Sequence, residues 1–235
     1  MADGIYVSMC GAAARSAQLE AIADNLANTQ TPGFKAARPS FESFLPASGA
    51  DDKTYPAAVA TGFDLRPGAV TQTGNPLDVL PEDGAFLKVR TTSGGVAYTR
   101  DGRLSLDGER RLVQNGHPVL DRSGGTIHVP SGATAQIDAD GTVRAGGVAV
   151  GELGRFRLSG TVDRVGPAML APSRGGAATP VDVPVRSGEI ELGNAGALEA
   201  AVDLIAAQRS FDASMQALQT YRTLDGRSSE VGRVR

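Results

Sequence analysis

Two histidines, His117 and His128, and one cysteine, Cys10, are the only imidazole and thiol groups among 235 residues. Structural zinc centres draw on about four His, Cys or carboxylate ligands. These residues cannot build a histidine- or thiolate-rich centre, and one thiol excludes an internal disulfide framework. Cys10 reads as a small residue packed within a helix. His117 stands between Gly116 and Pro118, in a turn, with no nucleophile elbow or oxyanion motif beside it to suggest a catalytic triad. Asp138-Ala139-Asp140-Gly141 resembles part of a calcium loop but lacks the third acidic ligand and the distal Glu, so it reads as a hairpin turn. Gly146, Gly147, Gly151 and Gly154 do not have the spacing of a dinucleotide fingerprint and precede no helix. The expectation is no catalytic residue, no metal, no cofactor, no small-molecule substrate and no enzyme activity.

Composition narrows the classes further. Lys and Arg number 23 against 26 Asp and Glu, a net charge of -3. That balance predicts no nucleic-acid partner. Aromatics are 5% and Trp is absent, so the core must be built from Leu, Val, Ile and Ala. No apolar run approaches the roughly 20 residues a membrane-spanning helix needs, so no direct membrane insertion is expected. The start, Met1-Ala2-Asp3, has no positive charge and does not read as a secretory signal. The expectation is a cytosolic chain, or one exported by a route that leaves the N-terminus intact.

What positions the rest is a division into helical ends and a β middle. Met9, Ala12, Ser16, Leu19, Ala23 and Leu26 recur at steps of three and four, the spacing of one narrow helical stripe. Thr31-Pro32-Gly33 should end that helix near Asn28. Ala201, Leu204, Gln208, Phe211, Met215, Leu218 and Arg222 repeat the spacing at the other end. Leu204, Phe211 and Leu218 form a heptad. Asn194 or Gly196 should open this second helix, and Asp225-Gly226 should close it. Between them, short alternating runs such as Phe86-Leu87-Lys88-Val89-Arg90 are punctuated by Asp101-Gly102, Asp107-Gly108, Asn115-Gly116 and Asp140-Gly141, the pattern of antiparallel hairpins. The predicted class is α+β, with N- and C-terminal α-helices pairing as a discontinuous coiled-coil domain and a central antiparallel β domain. The predicted boundaries are a helix and exit turn over 1–34, an extended linker over 35–74 and the β domain over 75–165. A second linker over 166–190, a helix over 191–226 and a polar tail over 227–235 follow. Neither helix can bury its stripe alone, which points to assembly.

The residues also carry a family likeness. Asp24-Asn25-Leu26-Ala27-Asn28-Thr29-Gln30-Thr31-Pro32-Gly33-Phe34-Lys35 resembles the signature of bacterial flagellar rod and hook proteins. Asn75-Pro76-Leu77-Asp78-Val79 with Gly84-Ala85-Phe86 is similar to the start of that family's β domain. Ala97-Tyr98-Thr99-Arg100-Asp101-Gly102 and Gly116-His117-Pro118-Val119-Leu120 resemble its next hairpins. Gly188-Glu189-Ile190-Glu191, Asn194 and the run Val202 to Phe211 resemble its last helix and approach. Gly62 to Gly68 and Gly125 to Pro130 look most like the proximal rod branch, whereas Ala206-Ala207-Gln208-Arg209-Ser210-Phe211 looks more like the distal one. Two places depart from the family: Gly84-Ala85-Phe86 replaces an aromatic pair, and Gly193-Asn194-Ala195 replaces Ser-Asn-Val.

The resemblance implies a structural subunit of the basal-body rod, exported by the flagellar type III apparatus and located in the periplasmic rod. It would assemble with copies of itself and other rod proteins into a torque-transmitting shaft around an export channel. It implies assembly roles for Asn25, Leu26, Asn28, Thr31, Pro32, Gly33 and Phe34. Helix packing would fall to Leu204, Ile205, Gln208, Phe211, Met215 and Leu218. The β-domain motif is Pro76, Leu77, Asp78, Tyr98, Arg100 and Gly102. The distal rod branch and a coiled-coil surface adhesin or binding module are the alternatives.

Overall fold

The computed structural model describes residues 2–44 and 55–233. The chain divides into two compact units, one drawn from residues 1–27, 37–62 and 196–235, the other from 28–36 and 63–195. Both expected layers are present: two terminal helices and a central antiparallel β region.

In the first unit, helix α1 (Ala2–Ala27) and helix α2 (Ala197–Arg233) pack alongside one another. The strands Ala37–Phe44 and Tyr55–Phe63 pair in a two-stranded sheet. On α1 the inward line is Ala12, Arg15, Leu19, Ile22 and Leu26, with Ala12 and Ile22 buried. Met9 and Ala23 of the predicted stripe are exposed. The line runs through Ile22 instead, because its larger apolar surface gains more from leaving water than the methyl of Ala23.

On α2 the inward line is Ala200, Leu204, Ala207, Phe211, Ser214 and Leu218, with Ala200, Ala207 and Leu218 buried and the others half-buried. Met215 is half-buried beside it, whereas Ile205 and Gln208 are exposed. The expected packing roles of Ile205 and Gln208 therefore do not apply to this helix pair. Each stands one residue, about 100°, around from the inward positions Leu204 and Ala207. The carbonyl of Gly196 accepts the Ala200 N–H at 2.8 Å and opens the helix. α2 does not stop at Asp225-Gly226 but continues to Arg233, so residues 227–233 are helical rather than a tail. An interior Gly costs only about 1 kcal/mol relative to Ala, and no Pro follows to block the next turn.

The second unit is built on a six-stranded antiparallel sheet. Its order is Val162–Gly166, Met169–Pro172, Val96–Thr99, Phe86–Arg90, Arg155–Ser159 and Ala177–Pro180. Alternation along Phe86–Arg90 separates two cores. Leu87 and Val89 face a large cluster with Val79, Leu112, Ile127, Val143 and Val185. Phe86 faces a second with Tyr98, Phe156 and Leu170. Tyr98 and Phe156 meet edge-on at 5.3 Å.

Two predicted linkers are strands. Among the described residues, 35–74 carry three, the third being Val70–Gln72, and 166–190 carry Met169–Pro172, Ala177–Pro180 and Val185–Ser187 and enter Glu189–Glu191. Val70–Gln72 and the strands of 166–190 are three or four residues long, too short to display a period, whereas Ala37–Phe44 and Tyr55–Phe63 are long enough but lack a clean apolar alternation.

The turn pairs divide by mechanism. Asn115 and Gly116, with φ of 46° and 81°, form the two-residue turn joining Leu112–Gln114 to His117–Pro118, the positive-φ hairpin that Asn-Gly favours. Asp101-Gly102 is not a hairpin turn. Gly102 is required because its carbonyl accepts the Val79 N–H at 3.0 Å, and a Cβ there would lie 1.6 Å from the Val79 oxygen.

Candidate assembly site

In the last turn of α1, the Asn25 side chain clamps the backbone of Ala37 on both sides. Its Nδ2 donates to the Ala37 carbonyl at 2.9 Å, and the Ala37 N–H donates to Oδ1 at 2.8 Å. Ala37 is buried, so both groups depend on this one amide. Leu26 is half-buried on the inward line of α1. Asn25→Ala is expected to destabilise the helix unit by about 1–3 kcal/mol, because two buried backbone groups lose their partner. Hydrogen exchange at the Ala37 amide and chemical denaturation of the full chain would measure the loss.

The exit segment from residue 28 belongs to the β unit. The Thr31 hydroxyl donates to Asn28 Oδ1 and its N–H to the Asn28 carbonyl, both at 3.0 Å. Pro32 is buried. Gly33 adopts φ of 70°, where a Cβ would stand 2.1 Å from the Asp101 nitrogen, and donates its N–H to the Glu191 carbonyl at 2.8 Å. Only glycine satisfies both the left-handed backbone and the approach. The next two residues turn inward: Phe34 is fully buried and Lys35 is 2% exposed.

Lys35 ends in a charge cluster centred on Glu191. Its Nζ donates to Glu191 Oε1 at 2.6 Å and to the Arg66 carbonyl at 2.7 Å. Arg100 Nε donates to Glu191 Oε2 at 2.8 Å, and its Nη2 reaches the same oxygen. Arg100 Nη1 donates to the Pro81 and Ala85 carbonyls at 2.9 and 2.5 Å. The Gly68 N–H donates to Glu191 Oε1 at 3.0 Å. One carboxylate thus serves two buried cations, and the surrounding carbonyls take part of their remaining protons. Burial alone would push the Glu191 carboxyl up, but Arg100 and Lys35 outweigh it and hold the group below its usual range.

A carboxylate with a lowered folded pKa contributes stability that is complete above its unfolded value and is lost as pH falls through the folded one. Stability of the β unit is therefore expected to drop on acidification below about pH 5, continuing beneath the ordinary carboxylate range. Glu191→Gln should remove that component of the slope, measured by denaturant titration between about pH 7 and pH 3.

Above the cluster, Arg164 stacks on two rings, its guanidinium carbon 4.2 Å from the centre of Phe34 and 5.0 Å from that of Phe63. Its Nη2 donates to the Lys35 carbonyl at 2.5 Å. Asn194 completes the enclosure: its Oδ1 accepts the Ala36 N–H at 2.7 Å, and its Nδ2 donates to the Asp64 and Arg66 carbonyls at 2.7 and 3.0 Å. Gly193 has a local reason, since a Cβ there would stand 2.8 Å from the Asn28 and Thr29 carbonyl oxygens. Ala85 is fully buried and uses its carbonyl on Arg100.

Of the β-motif residues, only Arg100 enters the cluster. Asp78 is buried and accepts the Asn75 amide at 2.9 Å; Leu77 packs against the main core and Pro76 is exposed. Tyr98 lies in the second core, and Gly102 seats the Val79 backbone. Sequence reasoning missed Lys35, Arg164, Glu191 and Asn194 as site residues. Lys35 at the end of an otherwise uncharged turn motif was the available signal. A cavity of about 480 Å³ opens beside Arg100 and Glu191, lined also by Pro67, Val70 and Leu80. Both oxygens of Glu191 are already engaged within the protein, so the arrangement is suited to holding chain segments together.

Three family models match the chain. Residues 5–35 match the flagella basal body rod protein, residues 82–145 the flagellar hook protein FlgE/F/G D1 domain, and residues 186–231 the flagellar basal body rod FlgEFG protein C-terminal region. The chain is 34% identical to the flagellar basal-body rod protein FlgF of Escherichia coli (strain K12) over 250 aligned residues, covering 98% of each. The chain belongs to the flagellar basal-body rod protein family. It is also 37% identical to FlgF of Salmonella typhimurium over 62% of this chain and 58% of that protein. FlgG of Buchnera aphidicola subsp. Schizaphis graminum is 30% identical over 61% of this chain and 60% of its own. The likeness is to FlgF-type rod proteins, a structural family of the flagellar basal body. The ion cluster acquires a meaning in that frame: Lys35, Arg100 and Glu191 fall one in each of the three matched segments.

Proposed function

We propose that this rod protein is a proximal-type subunit whose terminal helices form a discontinuous coiled coil and polymerise, with copies of itself and other rod proteins, into the axial drive shaft. In this reading the flagellar type III apparatus delivers the chain to the periplasmic rod, the helices surround the export channel, and the β unit lies outside. The observation that carries it is the Glu191 cluster, which joins the helix exit, the central β segment and the approach to α2 at one buried point. Within the β unit, charge-assisted hydrogen bonds shielded from water hold the segment that leaves α1 and the segment that approaches α2 to the same sheet. Close packing over Ala200, Leu204, Ala207, Phe211, Ser214 and Leu218 supports the coiled-coil geometry through its steps of four and three.

Leu204→Asp tests the reading. The substitution puts a carboxylate on the inward line of α2. Motility is expected to be lost and hook-basal bodies to be truncated, with the β unit still folded by limited proteolysis. Intact hook-basal bodies and normal swimming in a strain lacking the gene altogether would refute the rod assignment.

A further inference from the structure

A polar cavity of about 410 Å³ in the β unit takes no part in the Glu191 cluster. Asp78, Asp101 and Gln114 line it and are 6%, 3% and 4% exposed. Asp101 is fully engaged. Its Oδ1 accepts the Arg103 N–H and Nε at 3.1 and 3.0 Å, and its Oδ2 accepts Arg103 Nη2 and Gln114 Nε2, both at 2.8 Å. Asp78 is not. Among the described residues its carboxylate receives one hydrogen bond, from Asn75 Nδ2 to Oδ1 at 2.9 Å, and closes no ion pair. Arg103 bears on Asp78 electrostatically, but its fork is closed on Asp101. Because the Asp101 carboxylate only accepts, Gln114 turns its Nε2 there and leaves Oε1 without a partner. Neither Asp78 Oδ2 nor Gln114 Oε1 is sealed from solvent, so both open to the cavity they line. A carboxylate this buried and without a counter-cation is costly.

We infer that this cavity binds a primary ammonium group, with Asp78 Oδ2 supplying the charge and Gln114 Oε1 and the Ser105 hydroxyl at the exposed rim supplying further acceptors. A guanidinium closes its planar fork on a carboxylate with both oxygens available, and Asn75 already holds one oxygen of Asp78. Single oxygens from different side chains suit a compact ammonium, whose three donors rotate to meet them. One carboxylate is left uncompensated, so the ligand carries one ammonium: a lysine side chain of a neighbouring molecule. This chain's own Lys35 and Lys88 are committed within the fold, Lys35 to Glu191 and Lys88 over the Phe156 ring at 5.2 Å; Lys53 lies outside the described residues. The site adds a ligand to the β unit and does not depend on the rod reading.

The test titrates n-butylammonium, a lysine side-chain mimic, into the purified full chain and follows amide NMR signals. Saturable shifts in the millimolar range are expected at Ser105, Asn115 and the Gln114 side-chain amide. Butyltrimethylammonium has the same charge but no N–H, and should bind about tenfold more weakly, the equivalent of one charge-assisted hydrogen bond. Asp78→Asn should weaken butylammonium by about tenfold or more. Ser105→Lys places a tethered ammonium at the exposed rim and should block the probe. Shifts that are absent or map elsewhere, equal affinity for the two amines, or a folded Asp78→Asn that binds as the parent does would each overturn the site. Should Asp78→Asn not fold, the comparison of the two amines on the unaltered chain still decides. Putrescine, with two ammonium groups, should bind no more tightly than butylammonium. A gain of more than about tenfold would uphold the ammonium site and overturn the side-chain source in favour of a free diamine.

Discussion

Glu191→Ala is expected to destabilise the β unit by about 3–5 kcal/mol, the range found when one partner of a buried ion pair is removed. The loss arises less from the missing attraction than from what remains. Lys35 and Arg100 are 2% and 3% exposed, and without the carboxylate two like charges stay out of water with only carbonyl oxygens to answer them. Calorimetry should record a fall in Tm on the order of 10 °C or more. Glu191→Gln keeps the shape and one acceptor oxygen, so its cost should be smaller at neutral pH and nearly flat with acidification. Replacing Lys35, Arg100 and Glu191 together with apolar residues of similar volume should recover much of the loss, since no unpaired charge is then left inside. A single Glu191→Ala that unfolds no more easily than the parent would show that water reaches the cluster and that it does not hold the β unit together.

Phe34→Ala should cost a similar amount, about 3–5 kcal/mol, by a different mechanism. The ring is fully buried, and the neighbours that hold it cannot close the gap because Gly33 is pinned to Glu191 and Lys35 to both Glu191 and Arg164. The cavity therefore stays open and adds to the lost transfer energy. The Arg164 guanidinium also loses one of its two rings, a contact worth about 0.5–2 kcal/mol according to how dry it is. Phe34→Leu refills most of the volume and should cost less than about half as much. A double-mutant cycle of Phe34→Leu with Arg164→Met, followed by denaturant unfolding, separates the stacking contribution from simple burial. A coupling near zero would mean that the Phe34 ring holds Arg164 no better than any apolar side chain of its size.

How much of this was legible depended on whether the signal is local. Helical ends could be read because propensity and three-four spacing act within a few residues, and hairpins because Asn115-Gly116 adopts positive φ at little conformational cost. Even in the helices, the choice between adjacent residues was not local. The α1 line passes through Ile22 rather than Ala23, because the partner helix decides which of the two is covered.

The scarcity of His and Cys, the α+β class and the flagellar rod likeness were determined by the sequence itself, since residue inventory, short-range periodicity and ordered motifs require no coordinates. The tertiary structure alone decided that Lys35, Arg100 and Glu191 meet, that 35–74 and 166–190 are woven into sheets, and that Ile205 and Gln208 face outward. Lys35 and Glu191 are separated by 156 positions in the chain. A pair so distant leaves no periodic trace, because its energy depends on loop closure and on the sheet register that brings both side chains out of water.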